Sequence, residues 1–290
     1  MALFDTHCHY NMEPLWNSWQ EHWAKAQAYG LTYSLVAGAD LLSCQRGLEI
    51  AQKEPKLLPS LGFHPEVYDL RVSELFAKNL VADQILAETE KLLAEDIAWI
   101  TQAAQTHKII AIGEVGLDYY YFNPDQPELN TLKISAQKAA FVAQINLANQ
   151  FKLPLIVHTR DKTETAYREA LSLINQNYQF VKPFILHCVS GPLDYIAEAV
   201  KLGAYVGFDG NLTYKKNQNL LEIFQAVPPN RILLETDAPF LPPVPYRGQT
   251  CEPWMVSLTA EYFSTQLKIS QDQLFQNAQI CFDLNQSIMG

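Results

Sequence analysis

The sequence predicts a (β/α)8 TIM barrel, open to distortion and carrying extended loops at its C-terminal face. Eight short apolar runs alternate with longer amphipathic segments, which is the arithmetic of strand, helix, strand repeated round a barrel. The runs are almost continuously apolar, as expected of parallel strands covered on both faces. No Gly-rich, Ser-rich or charge-rich linker and no internal repeat divides the series, so 1–290 is read as one domain, although length alone would also fit two.

In order, the runs are ALF (2–4), LTYSLVA (31–37), LLPSLG (57–62), KIIAIG (108–113), LPLIVH (153–158), KPFILH (182–187), AYVGF (204–208) and RILLET (231–236). Between them, WNSWQEHWAKAQAYG, ISAQKAAFVAQINLANQF and DYIAEAVKLG place apolar residues three and four apart, and the first and last close on glycine, so they read as amphipathic helices. The long intervals 63–107 and 118–152 predict extra helices or lids. The run APFLPPVPYRGQTCEP (238–253) holds five prolines, which excludes helix and makes it a loop shaping the barrel mouth.

Composition narrows the function classes. A chain of 290 residues, 48% hydrophobic and 18% charged, buries a large core. Its net charge of -10 excludes a broad cationic surface for DNA, but leaves room for a site that meets phosphate through bound metal ions. The five cysteines are odd in number and lack Cys-x-x-Cys spacing, and read as reduced thiols of a cytoplasmic protein. The start MALFDTHCHY has no basic-then-apolar pattern and no apolar stretch approaches 18 residues, so neither secretion nor a membrane span is expected. A monomer without an obligate protein partner is the expected state.

Active sites of this architecture lie at the C-terminal ends of the strands. Asp5, His7 and His9 follow the first run, Glu114 the fourth, and Asp237 the eighth, while His158 and His187 end the fifth and sixth. His7 and His9 are two apart, so on an extended backbone both face one side. A lone histidine at a strand end is more often a hydrogen-bonded rim residue, and a lone Asp before a loop is more often a cap. Together, however, His7, His9, Glu114, His158, His187 and Asp237 form a ligand inventory for Zn2+, Mn2+ or related ions, with a carboxylate able to bridge two of them. Asp5 reads as a third possibility among ligand, acceptor for an imidazole N–H, or strand cap, with the acceptor role favoured.

The motifs FDTHCH, GFHP, AIGEVGLDYY, VHTR, LHCVSG and ETDAPFLPPVPYRG, spread over 4–248, resemble the signature blocks of the TatD family of metal-dependent hydrolases, within the amidohydrolase-like barrel superfamily. The resemblance implies a (β/α)8 barrel with two divalent metals, acting as a deoxyribonuclease and commonly as a 3' to 5' exonuclease. It implies that His7, His9 and Asp237 hold one metal, His158 and His187 the other, with Glu114 between them, and that His64 contacts phosphate, against a role packing the loop before Pro65. This chain departs from the pattern at Glu66, where members often carry a second His, and at Cys251-Glu252-Pro253, where Asn-Glu-Pro is usual.

The expected reaction is hydrolysis of a phosphodiester at the 3' end of single-stranded or frayed DNA by water activated at a dinuclear centre. Asp237 is the first choice to orient that water or carry its proton, against a purely ligating role, and Glu114 is the second. Arg160 is placed to grip phosphate, against an ion pair with Asp161 or Glu164. Tyr246 and Arg247 in the proline-rich loop read as nucleotide contacts or surface residues, and Tyr119 to Phe122 as a base-stacking patch or a loop anchor. Mg2+ or Mn2+ is expected to support turnover, with Zn2+, Co2+ or Ni2+ also compatible with histidine-rich ligation. The competing enzyme reading keeps the metals and changes the bond, giving an amidase, lactonase or aminoacyl-ester hydrolase. A noncatalytic scaffold is disfavoured, since it would need no such ligand set at the strand ends.

Overall fold

Eight parallel strands follow one another round one sheet in sequence order, in a computed structural model that describes residues 2–284. They are β1 (Leu3–Cys8), β2 (Leu31–Val36), β3 (Leu57–Leu61), β4 (Ala111–Asp118), β5 (Leu155–Arg160), β6 (Phe184–Leu186), β7 (Tyr205–Phe208) and β8 (Ile232–Leu234). The ring closes where the chain leaving β8 meets β1: Asp237 N donates to His7 O at 2.9 Å and His9 N to Ala238 O at 2.8 Å. The architecture is the expected (β/α)8 barrel.

Helices α1 (Trp19–Ala28), α2 (Leu41–Lys53), α3 (Pro65–Ala77), α4 (Ala82–Thr106), α5 (Pro127–Phe151), α6 (Thr165–Asn177), α7 (Leu193–Lys201), α8 (Gln218–Ala226), α9 (Val256–Gln266) and α10 (Gln271–Cys281) surround it. The long interval after β3 is thus two helices, and the one after β4 is a turn followed by a helix of 25 residues. No helix among the described residues is long and apolar enough to cross a membrane.

Alternation along the strands separates two cores. Phe4, Leu35, Leu58, Ile156, Ile185, Tyr205 and Leu233 fill the barrel interior, where Ala278, Cys281 and Phe282 of the α10 region close its lower end. Their neighbours Leu3, Val36, Leu57, Leu155, Val157, Phe184, Leu186, Val206 and Leu234 face the helices instead. Truncating a fully buried member such as Leu233 to Ala would cost about 2–5 kcal/mol.

Two strands are longer than their apolar runs. β1 continues through Asp5, Thr6 and His7, and β4 continues through Glu114 to Asp118. The reason is pairing: Gly116 is in register with His158 and Asp118 with Arg160, so the ladder persists after hydrophobicity stops. Gly116 permits this with a φ of +150°, and a Cβ there would overlap the His158 carbonyl. A register irregularity between Ile112 and Val115 brackets Glu114 and re-aims its side chain.

Two buried glutamines of α5 brace the strand exits. Gln144 accepts from Phe63 N at 2.7 Å and donates to Phe63 O at 3.1 Å, while Gln137 accepts from Asp118 N at 2.8 Å and donates to Asp118 O at 2.9 Å. Each satisfies a backbone N–H and C=O that the strand ladder leaves free, fixing the backbone beside His64 and at the end of β4.

Candidate metal centre

The six residues expected as ligands converge at the upper end of the barrel. His7, His9, Glu114, His187 and Asp237 are buried and His158 is nearly so. His7 and His9 project to the same side of β1, as residues two apart on a strand must, and their Nε2 atoms face each other at 3.2 Å. The His9 Nδ1 lies 3.2 Å from Ala37 O, a carbonyl that only accepts, so this nitrogen carries the proton and the Nε2 presents its lone pair inward.

Glu114 divides its two oxygens. Oε2 lies 3.4 Å from His7 Nε2 and 3.8 Å from His9 Nε2, whereas Oε1 lies 2.9 Å from His158 Nδ1, 3.6 Å from His187 Nε2 and 3.7 Å from His64 Nε2. Asp237 Oδ1 stands 3.4 Å from His9 Nε2, 3.6 Å from His187 Nε2 and 3.9 Å from His7 Nε2. Asp237 adopts a left-handed backbone with φ of 54°, a conformation Asp tolerates better than most residues, and turns its carboxyl into the pocket.

Several sets of three donors lie within 4.8 Å of one another: His7, His9 and Glu114; His64, Glu114 and His158; His187, Cys188 and Asp237; and His7, His187 and Glu235. Imidazole nitrogens and carboxylate oxygens aimed at common points repel or desolvate one another unless a cation or protons lie between them. The donor set therefore fits one or two divalent metal ions.

Proton affinities follow from the crowding. Burial alone would raise Glu114, but His187, His64, His158 and His7 around it hold its carboxyl well below the usual range. Burial also works against ionised Asp237, yet His187, His9 and His7 keep it low. His7 is pushed down by burial and then by His187, whose ring stacks on it at 3.4 Å between centroids. Burial likewise lowers His187 and His158, but the surrounding acids more than offset this: Glu235, Glu114 and Asp237 lift His187 to about 10, and Asp118 and Glu114 lift His158 to about 9.

The remaining expected residues divide. His64, the residue before α3, accepts from Glu66 N at 3.2 Å through Nδ1 and turns its ring edge-on to His158 at 4.3 Å, so it sits within the cluster. Glu66 occupies the first turn of α3. Arg160 pairs with neither Asp161 nor Glu164; its Nε and Nη2 donate to Asp118 Oδ2 at 2.9 and 2.6 Å. Tyr246 packs edge-on against Trp254 and Arg247 lies 4.7 Å over Tyr214, so these two belong to the loop around the mouth, apart from the histidine cluster.

Asp5 braces backbone where an imidazole N–H was expected. It accepts from His7 N, Thr236 N and Thr236 Oγ1, tying β1 to the segment after β8. The aromatic run splits by function: Tyr119 is buried, stacks on Phe122 and donates to Glu169 Oε2 at 2.8 Å, whereas Tyr120 and Tyr121 stay at the surface beside Arg160.

Sequence reasoning missed Glu235 and Phe240. Glu235 lies two residues before Asp237, the same spacing that made His7 and His9 legible, so that periodicity was the available signal. Phe240 is 53% exposed in the proline-rich loop with its ring 6.1 Å from that of His9, a position no local pattern marks.

Known proteins share this framework. The TatD related DNase family model matches residues 4–283. An uncharacterized metal-dependent hydrolase of Bacillus subtilis (strain 168), YabD, is 29% identical over 98% of this chain and 100% of its own length. The 3'-5' ssDNA/RNA exonuclease TatD of Enterobacter lignolyticus (strain SCF1) is 28% identical over 76% of this chain and 72% of its own. Among solved structures, the TatD homolog YJJV from Escherichia coli K12 superimposes with a TM-score of 0.74, covering 98% of both chains at 22% identity, a likeness of fold.

Proposed function

The chain belongs to the TatD related DNase family of metal-dependent hydrolases, and from that premise we propose that it removes nucleotides from the 3' end of single-stranded or frayed DNA at a dinuclear centre. The carrying observation is Glu114, whose two oxygens turn to two separate groups of histidines. In this reading His7, His9 and Asp237 hold one divalent ion, His158 and His187 hold a second, and Glu114 joins them. Bound there, the ions would polarise a phosphodiester oxygen and acidify water. Mg2+ or Mn2+ is the proposed activator.

The protein's own groups supply the rest. Asp237, kept ionised by its histidine neighbours, orients the attacking water and takes its proton. Arg160, with its side chain 40% exposed, offers guanidinium N–H groups to a phosphate at the rim. Tyr120, Tyr121 and Phe240 provide exposed rings for a base without reading its sequence. The name of the Enterobacter relative as a 3'-5' ssDNA/RNA exonuclease supports the polarity. The cluster is built from the strand ends of one chain, which supports a monomer and a single catalytic unit over 1–290. Five unpaired cysteines support a cytoplasmic setting.

The test is a 5'-labelled single-stranded oligonucleotide incubated with Mn2+-loaded protein. Stepwise shortening from the 3' end that EDTA abolishes is expected. Intact DNA alongside rapid hydrolysis of a lactone, amide or aminoacyl ester would replace this reading with the carbonyl one.

A further inference from the structure

The interior wall behind His187 contains an acid that the proposed reaction does not use. Glu235, fully buried immediately after β8, accepts from Cys188 N at 2.5 Å through Oε1, and the same oxygen lies 3.1 Å from His187 Nδ1. Cys188, just beyond β6, has a left-handed backbone with φ of 43° and donates its N–H to Glu235. Opposite stands Gly207 on β7, where a Cβ would overlap the Glu235 carboxyl group. A side chain is omitted from one strand in the place where the acid of the next must lie.

We propose that Glu235, seated in the space left by Gly207, is the positioning residue that sets the tautomer and direction of His187 for a divalent cation. Oε1 already accepts a backbone N–H, so it can favour the facing Nδ1 only when that nitrogen carries a proton. The neutral ring then has its lone pair on Nε2, the atom that lies 3.6 Å from both Glu114 Oε1 and Asp237 Oδ1. The 3.1 Å approach is off the ideal hydrogen-bond direction, and Nδ1 has no other hydrogen-bond partner. The counterpart on the other histidine, Asp118 beside His158, is tied to the exposed Arg160; the Glu235 contact is sealed from solvent.

This inference rests on the metal reading above, and the experiment separates the two. Full-length wild type, Glu235→Gln, Glu235→Ala and Gly207→Ala are stripped with EDTA, checked for unchanged folding by thermal melting, and titrated with Co2+ while the visible absorption is followed. Ring 15N shifts of His187 in the Zn2+-loaded proteins report which ring nitrogen keeps the proton. Removing such a partner weakens metal binding by about 10–100-fold, so Glu235→Ala and Gly207→Ala should lose affinity to that extent and no longer favour Nδ1–H. Glu235→Gln keeps the accepting oxygen and should bind as wild type does. Equal Co2+ affinity and tautomer in all four proteins, or loss of melting temperature without either change, overturns the positioning role. Failure of wild type itself to bind Co2+ overturns the metal reading and the inference with it.

Discussion

His158 and Arg160, two residues apart on β5 and facing the same side, meet at a single oxygen, Asp118 Oδ2, which lies 3.3 Å from His158 Nε2 and 2.6 Å from Arg160 Nη2. The rim arginine is thereby linked to the cluster through one acid. A phosphate gripped by Arg160 would share its guanidinium with Asp118.

Arg160→Ala should therefore damage binding and turnover together. Losing charge-assisted hydrogen bonds of about 1.5–3 kcal/mol each predicts a fall in kcat/KM of about 10–100-fold on a single-stranded oligonucleotide. Arg160→Lys keeps the charge without the fork and should recover only part of it. Steady-state kinetics on the three proteins checks this, and an unchanged kcat/KM in Arg160→Ala removes Arg160 from the substrate path.

His187→Ala should separate folding from catalysis. The metal-free variant should still melt cooperatively, because the apolar barrel core lies below the cluster, while bound metal drops toward one equivalent and nuclease activity falls by at least about 10³-fold. Metal analysis of purified protein with parallel melting curves is the measurement. Full activity on DNA would contradict the assignment.

Phe240→Ala should act on the terminal base alone. The ring is exposed and stands edge-on to His9, and stacking a base is worth about 1–3 kcal/mol. KM should rise for an oligonucleotide ending in a normal nucleotide and stay level for one ending in an abasic residue. Equal effects on both substrates would show that Phe240 serves the loop, not the base.

Asp209 predicts a pH signature in the metal-free protein. Burial, and then the nearby Glu235, raise its carboxyl from 3.8 to about 8. The folded chain then binds more protons than the unfolded chain between those values, so this group's contribution makes stability fall as pH rises through the window. Asp209→Asn keeps the oxygen that accepts Asn211 N at 2.8 Å and removes the titration. Melting temperatures from about pH 5 to about pH 8 should show the variant gaining on wild type as pH increases, and a gap independent of pH would contradict the shift.

Much of the barrel was legible because parallel strands buried on both faces announce themselves as apolar runs, and each of the eight runs overlaps one strand. The ends were harder to read. Asp5 to His7 and Glu114 to Asp118 are strand residues whose polarity resembles loop, since their sheet pairing is paid for by partners distant in sequence. The histidines were readable for a related reason: a polar side chain at the end of an apolar run has no role in a core. What stayed hidden depends on register. Asp118 meets Arg160 only because β4 and β5 pair them directly, and Glu235 reaches His187 only because β7 carries a glycine at 207. The spacing of Glu235 from Asp237 marks its face of the strand, but neither partner is encoded locally.

Ions held by this cluster are expected to contact the phosphate being cut. Replacing the non-bridging oxygens of the 3'-terminal linkage by sulfur, one stereoisomer at a time, tests it most directly, since hard Mg2+ avoids sulfur and softer Mn2+ or Cd2+ accepts it. One isomer should be cut at least about tenfold more slowly with Mg2+ and recover with Mn2+ or Cd2+. Slowing by the same factor with every metal, or no effect of sulfur in either isomer, would contradict it.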